Sequence, residues 1–210
     1  MNNPAKIAVL VSGGGTNLQA LIDAQTNGIL KNGSIAVVIS SNPEAFAIQR
    51  AIGANIPAEV VSRKGIGSSE AFEERILSLL REYEIDLIVL AGFMSILSEN
   101  FVKQYPQRII NVHPSLIPSF CGEGFYGLRV HEAALKYGVK VTGATVHFVN
   151  EIPDGGEIIM QKAVAIREND TPESLQKRVM RMAEWKILPQ AVERVSAEIV
   201  RQKKQKEKKK

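Results

Sequence analysis

An asparagine and a histidine end one apolar stretch of the sequence, and an aspartate lies further along in a glycine-flanked loop. The stretch RIINVHPSLIPSF contains Asn111 and His113, and the loop IPDGGE contains Asp154. Alternate residues of a strand share one face, so Asn111 and His113 can act together. An amide N–H stabilises an oxyanion, and a histidine with a carboxylate moves protons. The three side chains therefore predict acyl-type transfer, and the lack of a recognisable serine or cysteine nucleophile turn favours direct transfer.

Each of these residues also has a purely structural interpretation. His113 could be a hydrogen-bonded histidine at a strand end, and Asp154 could simply form a turn. We expect His147 to pack or hydrogen-bond inside the sheet, whereas His131 could line a cleft. Cys121, the single cysteine, is expected to be unreactive. One cysteine and three scattered histidines predict neither a disulfide nor a metal site.

A second candidate site is the glycine loop of IAVLVSGGGTNLQALI, which has the pattern of strand, turn and helix. Gly13, Gly14 and Gly15 allow backbone N–H groups to approach a ligand, and the helix N-terminus that follows favours an anion. We expect a phosphate there. A dinucleotide fingerprint would need glycine at Leu18, and the lysine of a nucleotide P-loop is missing. A tight turn without a ligand is the alternative interpretation.

These residues need a sheet that brings strand ends together. Four apolar runs are continuous rather than alternating, as in parallel strands that are covered on both faces. They are residues 6–11, 34–40, 58–62 and 85–93. Amphipathic stretches lie between them, at roughly 16–27, 44–53 and 69–83. This alternation predicts a doubly wound α/β sheet with right-handed crossovers, in which ligands bind beyond the carboxyl ends of the strands.

The second half of the chain has a different pattern. Further strands are predicted at 108–112, 140–149 and 157–166, and a helix is predicted within 127–138. A long helix begins near DTPESLQKRV, capped by Asp170 or Thr171 with Pro172 in its first turn. The fold class is therefore a single Rossmann-like α/β domain. Its sheet is mostly parallel, with an antiparallel part in the C-terminal half and flanking helices.

Charge is unevenly distributed along the chain. The formal net charge is +4, but the last ten residues, RQKKQKEKKK, contribute +6 and leave −2 for the rest. We expect residues 1–200 to form the domain and residues 201–210, the basic tail, to be disordered. A weak contact of the tail with nucleic acid or a membrane surface is the alternative. No signal peptide or membrane-spanning stretch is recognisable, so we expect a cytoplasmic protein with no membrane and no specific nucleic-acid partner.

Taken together, these motifs resemble the phosphoribosylglycinamide formyltransferases, the folate-dependent enzymes of purine synthesis. The resemblance covers about residues 5–195. It rests, in order, on VSGGGTNLQALI, SNPEAFAIQRA, VLAGFMSILS, INVHPSLIPSF, VTGATVHFV, PDGGEII and RMAEWKILP. It implies a formyltransferase fold over residues 1–200. It also implies transfer of a formyl group from 10-formyltetrahydrofolate, as donor substrate, to the amine of glycinamide ribonucleotide.

The resemblance also implies a role for individual residues. Asn111, His113 and Asp154 become the catalytic residues, with Asp154 keeping the pKa of His113 high enough for an imidazolium near pH 7. The ribonucleotide phosphate is placed on Gly14, Gly15, Thr16 and Asn17, and further substrate contacts on Arg181 and Glu184. The pterin is placed against Met94, Ser95, Ile96 and Leu97, beside Asn111.

Two stretches depart from the family pattern. An arginine that members often carry near the start of the third helix is Ser69 here, and Arg63 or Lys64 could take over its contact with phosphate. After the histidine motif, PSFCGEGFYGLRVHEAAL is slightly longer than usual, with Cys121 in place of a proline. The rim of the cleft is therefore expected to have a different shape.

Other functions remain open at the level of sequence. A formyltetrahydrofolate hydrolase usually carries an extra N-terminal domain, and a methionyl-tRNA formyltransferase needs a further basic C-terminal domain. A sugar-nucleotide N-formyltransferase fits the glycine loop less well. A non-catalytic nucleotide-binding module would not need the catalytic residues. The sequence is compatible with a monomer or a homodimer.

Overall fold

The computed structural model describes residues 4–64 and 66–208. Seven strands form one sheet: β1 (Ala5–Val11), β2 (Gly33–Ser40), β3 (Ala58–Val60), β4 (Leu87–Leu90), β5 (Ile109–His113), β6 (Val141–Phe148) and β7 (Ile158–Ala165). Their order in the sheet is β3-β2-β1-β4-β5-β6-β7. Strands β1 to β5 are parallel, whereas β6 is antiparallel to β5 and β7 is antiparallel to β6. The predicted fold class is confirmed.

Within residues 4–64 and 66–208, seven α-helices flank this sheet. They are α1 (Thr16–Thr26), α2 (Phe46–Gly53), α3 (Ser69–Glu82), α4 (Glu99–Gln104), α5 (Leu128–Tyr137), α6 (Pro172–Val179) and α7 (Trp185–Glu207). Thr171 caps α6 by accepting a hydrogen bond from the backbone N–H of Ser174. The long C-terminal helix predicted from sequence is interrupted by one π-helical turn, Met180–Glu184, between α6 and α7.

The continuous apolar runs are explained by burial on both faces of the sheet. In the central strand β1, Ile7 and Val9 pack in a core that includes residues of α1, α2 and α7. Ala8 and Leu10 point the other way, into a core formed with α3 and α4. Burial of both faces removes the alternation of polar and apolar residues that marks a half-exposed strand.

The basic tail corrects one expectation. Residues 201–207 are not disordered but continue α7. The side chain of Arg108 donates to Gln202 Oε1 at 2.9 Å, and the ammonium of Lys203 lies 2.7 Å from Asp86 Oδ2. The buried Ile199 and Val200 already hold the preceding turn in place. Lysine, glutamine and arginine then extend an existing helix at little cost.

The described helices contain no segment that is both long and apolar enough to cross a bilayer. The last two residues of the basic tail, 209 and 210, lie outside the described residues.

Candidate active site

Strand β5 carries two of the predicted catalytic residues into the middle of the molecule. It lies between β4 and β6, so its backbone is hydrogen-bonded along both edges. His113 is only 4% exposed, and Asn111 is half-buried. The proline-containing turn that follows is tied to β6, because the Thr145 hydroxyl donates to the Ser115 carbonyl at 2.7 Å. The backbone N–H of Ile117 in turn donates to Thr145 Oγ1 at 3.1 Å.

Asp154 reaches the same place from the loop between β6 and β7. Its backbone has a φ of 56°, in the left-handed region that aspartate tolerates better than most residues. Two residues later, a Cβ on Gly156 would lie 1.8 Å from the Phe148 carbonyl oxygen, so only glycine lets the loop close against β6. Asp154 Oδ2 then accepts a hydrogen bond from the Gly122 N–H at 2.9 Å.

The loop brings the three predicted catalytic residues together. His113 Nδ1 lies 3.4 Å from Asp154 Oδ2. Asn111 Nδ2 lies 3.4 Å from Asp154 Oδ1. These distances unite one strand and one distant loop in a single polar cluster.

The charge state of His113 differs from the expectation. Its Nε2 faces the Phe120 carbonyl at 2.8 Å and its Nδ1 faces Asp154, an arrangement that suits an imidazolium. Burial nevertheless lowers the pKa of His113 below its ordinary value, since desolvation outweighs the upward pull of Asp154 and of Phe120. The free protein therefore holds His113 mainly neutral at pH 7. The negative charge of Asp154 only partly offsets the effect of burial on the pKa of His113.

His147 is a member of this cluster that the sequence reasoning missed. It was expected to pack or hydrogen-bond in the sheet, and it is indeed 1% exposed and hydrogen-bonded. Its partners are the unexpected part. In the antiparallel pairing of β5 with β6, His147 stands opposite Asn111. Its Nε2 lies 3.2 Å from Asn111 Nδ2 and 3.5 Å from Asp154 Oδ1.

The cluster forms part of the wall of a cavity of about 700 Å³. The four residues predicted to hold the pterin line the same cavity: Met94, Ser95, Ile96 and Leu97. Met94 and Ile96 expose 58% and 69% of their surface, and Ile152 of the Asp154 loop, also lining the cavity, exposes 59%. Such exposed apolar side chains at a cavity suit a flat heteroaromatic ligand.

The segment that departs from the family pattern also lines the cavity. Glu123, Phe125 and Tyr126 contribute to its wall, and none of them was predicted as a site residue. His131, from α5, lines it as well and is completely buried. Its two ring nitrogens have no hydrogen-bond partner among the described residues, and burial lowers its pKa to about 4.

The glycine loop adjoins the cavity at its edge. The Ser12 N–H donates to the Gly92 carbonyl at 3.1 Å, which places the loop next to the segment after β4. Of the four residues predicted to hold phosphate, Asn17 lines the cavity. Gly14, Gly15 and Thr16 are not part of its described wall, and Thr16 faces a second cavity between α1 and α7.

Glu184 is held in the cavity wall by Asn17. Asn17 Nδ2 donates to Glu184 Oε2 at 2.7 Å, and Glu184 is 6% exposed. Burial raises the pKa of Glu184 to about 7, although the hydrogen bond from Asn17 opposes the shift. A carboxyl group with this pKa changes its charge in the physiological range.

Arg181 does not share this position. It is exposed and lines another cavity, near Asp170 and Arg178. The π-helical turn is wider than an α-helical turn, so the residue that lines the cavity beside Glu184 is Met180, four positions earlier. Gln176, one helical turn before Met180, lines it too.

The proposed substitutes for the phosphate-binding arginine are also apart from the cavity. The guanidinium of Arg63 lies 5.2 Å from the centre of the Phe72 ring, in a cation–π arrangement. Lys64 is exposed, and Ser69 begins α3. Within residues 4–64 and 66–208, no group of three or more histidine, cysteine or acidic side chains is arranged to hold a metal ion.

The fold and the site together define a class of protein. The family model described as "Formyl transferase" matches residues 5–192. The phosphoribosylglycinamide formyltransferase of Haemophilus influenzae is 41% identical over 184 residues, which cover 88% of this chain and 84% of that protein. A crystal structure of glycinamide ribonucleotide transformylase 1 from Symbiobacterium toebii superposes with a TM-score of 0.85 at 40% identity. That match covers 90% of this chain and 86% of the other.

Longer relatives are similar as well. The trifunctional purine biosynthetic protein adenosine-3 of Bos taurus is 44% identical over 197 residues. This match takes in 94% of the chain but spans only 19% of the length of that relative. The chain belongs to the formyl transferase family and, within it, to the phosphoribosylglycinamide formyltransferases.

Proposed function

We propose that the protein transfers the formyl group of 10-formyltetrahydrofolate to the amine of glycinamide ribonucleotide, a step of purine biosynthesis. The observation that carries this proposal is the cluster of Asn111, His113 and Asp154 in the wall of one cavity with the apolar segment 94–97. Family membership supports the same reaction. The folate is a donor substrate here and not a resident cofactor.

The two substrates approach the cluster from different sides. The pterin of the folate lies against Met94, Ile96 and Leu97, with Ser95 and Asn111 offering polar contacts. The ribonucleotide lies toward Asn17 and Glu184, with its phosphate at the glycine loop, on Gly14, Gly15 and Thr16. The open space around Gly14 supports this placement, since a Cβ added there would meet no atom within 4 Å. We assign no substrate contact to Arg181 or Lys64.

The reaction involves attack by a nucleophile, formation of an oxyanion and transfer of one proton. The amine nitrogen forms a bond to the formyl carbon, and the carbonyl π electrons become an oxyanion. The nitrogen then carries a positive charge and gives up one proton. When the oxyanion collapses, the bond from the formyl carbon to N10 of the folate breaks, and N10 takes a proton. Atoms and charge balance without any further reactant.

The residues of the cluster divide this work among them. Asn111 donates an amide N–H to the oxyanion. His113 is mainly neutral in the free protein, and its Nε2 donates to the Phe120 carbonyl, so the nitrogen that takes the proton of the amine is Nδ1, beside Asp154. His113 later delivers this proton to N10. Asp154 stabilises the imidazolium formed between these events, since an opposite charge within a few ångströms favours the charged form. The lowered pKa of His113 thus suits a proton acceptor in the first half of the reaction.

The test is to mix the protein with 10-formyltetrahydrofolate and follow deformylation of the folate with and without glycinamide ribonucleotide. We expect deformylation only when the amine is present, with one formylated ribonucleotide formed for each folate consumed. Equal rates without the amine would instead indicate a hydrolase. Activity with an amino-sugar nucleotide but not with glycinamide ribonucleotide would redirect the assignment to a sugar formyltransferase. No deformylation under any of these conditions would refute the proposal.

A further inference from the structure

His147 is a buried titratable group that the proposed chemistry leaves unused. It is 1% exposed, and three of its neighbours are polar. Two of these neighbours, Asn111 and Asp154, belong to the catalytic cluster. A buried imidazole in this position must affect how both of them are held.

One contact determines which nitrogen of His147 carries hydrogen. Nδ1 lies 2.8 Å from the carbonyl oxygen of Phe148. A carbonyl can only accept, so Nδ1 must be the donor. In the neutral ring the hydrogen is therefore on Nδ1, and Nε2 presents a lone pair to the cavity.

The lone pair of His147 fixes the orientation of the Asn111 amide. Nε2 lies 3.2 Å from Asn111 Nδ2, and Asp154 Oδ1 lies 3.4 Å from the same nitrogen. Both neighbours are acceptors, so the NH₂ group and not the amide oxygen faces them. One amide hydrogen points to each acceptor. The longer contact, to Asp154, is the one more easily exchanged for a developing oxyanion.

We propose that His147 is a positioning residue of the reaction: its neutral Nε2 anchors one hydrogen of the Asn111 amide, so that the other hydrogen is aimed at the oxyanion. This role rests on the proposed function for its kinetic consequences, but the hydrogen bond itself can be measured without any substrate. His147 has no contact with substrate in this scheme and acts through Asn111.

Protonation of His147 would disable the anchor. A hydrogen on Nε2 would face the NH₂ group of Asn111, donor against donor, and would turn toward Asp154 Oδ1 at 3.5 Å. Asp154 would then serve two imidazolium rings, since His113 lies on its other oxygen. The remaining titratable side chains that line this cavity are His131 from α5, Glu184 from the π-helical turn, and Glu123, Tyr126 and Glu151 from its rim.

The first experiment is NMR of the wild-type protein with ¹⁵N-labelled histidine and asparagine. Only three histidines are present, so the His147 ring is assigned by its loss in His147→Gln. At pH 7.5 we expect a protonated Nδ1 and an unprotonated Nε2 for His147. The Asn111 side-chain NH₂ signals should shift when His147→Leu removes the acceptor. A hydrogen on Nε2 at pH 7.5, or Asn111 signals that do not respond, would overturn the inference.

The second experiment compares two substitutions at His147. His147→Leu removes the acceptor, whereas in His147→Gln the Oε1 atom stands where Nε2 was and accepts without titrating. We expect His147→Leu to lower kcat about 10- to 100-fold, the range that is typical when an outer partner of a metal-binding group is removed, with both KM values within about twofold. His147→Gln should recover most of the kcat at pH 7.5.

His131→Gln is the matched control. His131 is equally buried and lines the same cavity, but it makes no hydrogen bond in the described structure. This substitution should leave the Asn111 NH₂ signals in place, whereas His147→Leu should shift them. Equal shifts in both variants would mean general disturbance of the cavity and would refute a specific anchor.

The outcomes separate the two proposals. If wild-type protein does not transfer formyl groups but His147 shows the expected tautomer, the reaction is wrong and the hydrogen bond is right. If wild-type protein is active and His147→Leu keeps its full kcat, the positioning role is wrong and the reaction stands. Should His147→Leu fail to fold, the tautomer of the wild type and the kcat of His147→Gln at pH 7.5 still decide.

Discussion

The strand-end cluster and the glycine loop differ in how much of the space around them the protein itself fills. In the strand-end cluster, the amide of Asn111, the ring of His113 and the carboxylate of Asp154 all have protein partners before any ligand arrives. In the glycine loop, a Cβ added at Gly13 or Gly14 would meet nothing within 4 Å. The first region is built in advance, and the second is left open.

This difference matches the two tasks that we assign. A group that stabilises a transition state must be fixed before the reaction, because reorganisation during the reaction would consume the benefit. A loop that receives a phosphate must instead keep its backbone N–H groups free of side chains and accessible. Substitutions in the two regions should therefore affect different quantities: kcat in the cluster, and KM for one substrate in the loop.

The largest effect is expected from removing the oxyanion donor. Asn111→Ala should lower kcat by about 10²–10³, or roughly 3–4 kcal/mol in the barrier, with much smaller changes in both KM values.

Asp154→Asn should also lower kcat. It keeps the shape of the side chain but removes the charge that stabilises an imidazolium at His113. Steady-state kinetics with chemistry confirmed as rate-limiting measures both. Wild-type turnover in either variant would exclude that residue from the chemistry.

The double variant sharpens the claim that the cluster works as one unit. Residues that act together are not additive. Asn111→Ala/Asp154→Asn should therefore lose less than the product of the two single losses. A fully multiplicative loss would mean that the two side chains act independently, which their contact at 3.4 Å argues against.

The next effect distinguishes two neighbouring glycines. Gly15 has a φ of 70°, and its Cβ would lie 2.6 Å from the Cβ of Ala47 in α2. Gly15→Ala should therefore destabilise the fold by about 2–4 kcal/mol, through backbone strain and overlap together. Gly14→Ala is the matched control and should leave the denaturation midpoint almost unchanged. Equal destabilisation by both substitutions would contradict the open geometry at Gly14.

The same pair tests where the phosphate lies. Gly14→Val should raise KM for the ribonucleotide far more than KM for the folate, because its side chain would occupy the space in front of the loop. Equal changes in both KM values would count against a phosphate at this loop.

The contrast between the two regions also explains what the sequence could predict. The strands are recognisable because their apolar runs are continuous. Asn111 and His113 are recognisable as polar residues at the end of such a run, and Asp154 as a carboxylate in a glycine-flanked loop. The role of His147 depends on the pairing of β5 with β6, which places it opposite Asn111. Nothing local in TVHFV specifies that register.

Other features of the structure also depend on more than the local sequence. The resemblance implies substrate contacts for both Arg181 and Glu184, and the π-helical turn between α6 and α7 leaves Arg181 in the wall of a different cavity. Helix α4 has six residues and buries only Phe101 and Val102, too few for a periodic pattern. The charge of His113 depends on burial outweighing a nearby carboxylate, a balance that sequence neighbours do not reveal.

A smaller effect concerns pH and the residue that joins the two regions. Burial raises the pKa of Glu184 to about 7 from an ordinary value of 4.5. Between these values the folded state binds a proton that the unfolded state releases, so the free energy of unfolding falls as pH rises through this window. The loss is on the order of 1–3 kcal/mol between pH 5 and 8. Urea denaturation at several pH values should show it, and Glu184→Gln should flatten this part of the curve.

A wild-type stability that rises over the same window, or an unchanged slope in Glu184→Gln, would contradict the buried, protonated carboxyl. The control is Asn17→Ala, which removes the amide that donates to Glu184 Oε2. Loss of this hydrogen bond should raise the pKa of Glu184 further and shift the fall in stability to higher pH, because the bond favours the charged form.

The smallest effect is expected at the basic tail, which lies far from both regions. The tail contacts Asp86 and Arg108, which directly precede β4 and β5. The tail therefore packs at the amino ends of the strands, whereas the strand-end cluster and the glycine loop lie at the carboxyl ends. Its ion pair is partly exposed, with the Lys203 side chain 46% accessible, and such pairs contribute about 0–1 kcal/mol. Truncation after Val200 should therefore lower the free energy of unfolding by at most about 1 kcal/mol. Lys203→Ala should reproduce part of this loss, and high salt should reduce it.

Neither the truncation nor Lys203→Ala should alter kcat or either KM, because no residue of the tail lies in the described cavity wall. A truncated protein with normal stability but reduced activity at low salt would contradict this expectation. It would show that the tail acts on a substrate or on the site itself.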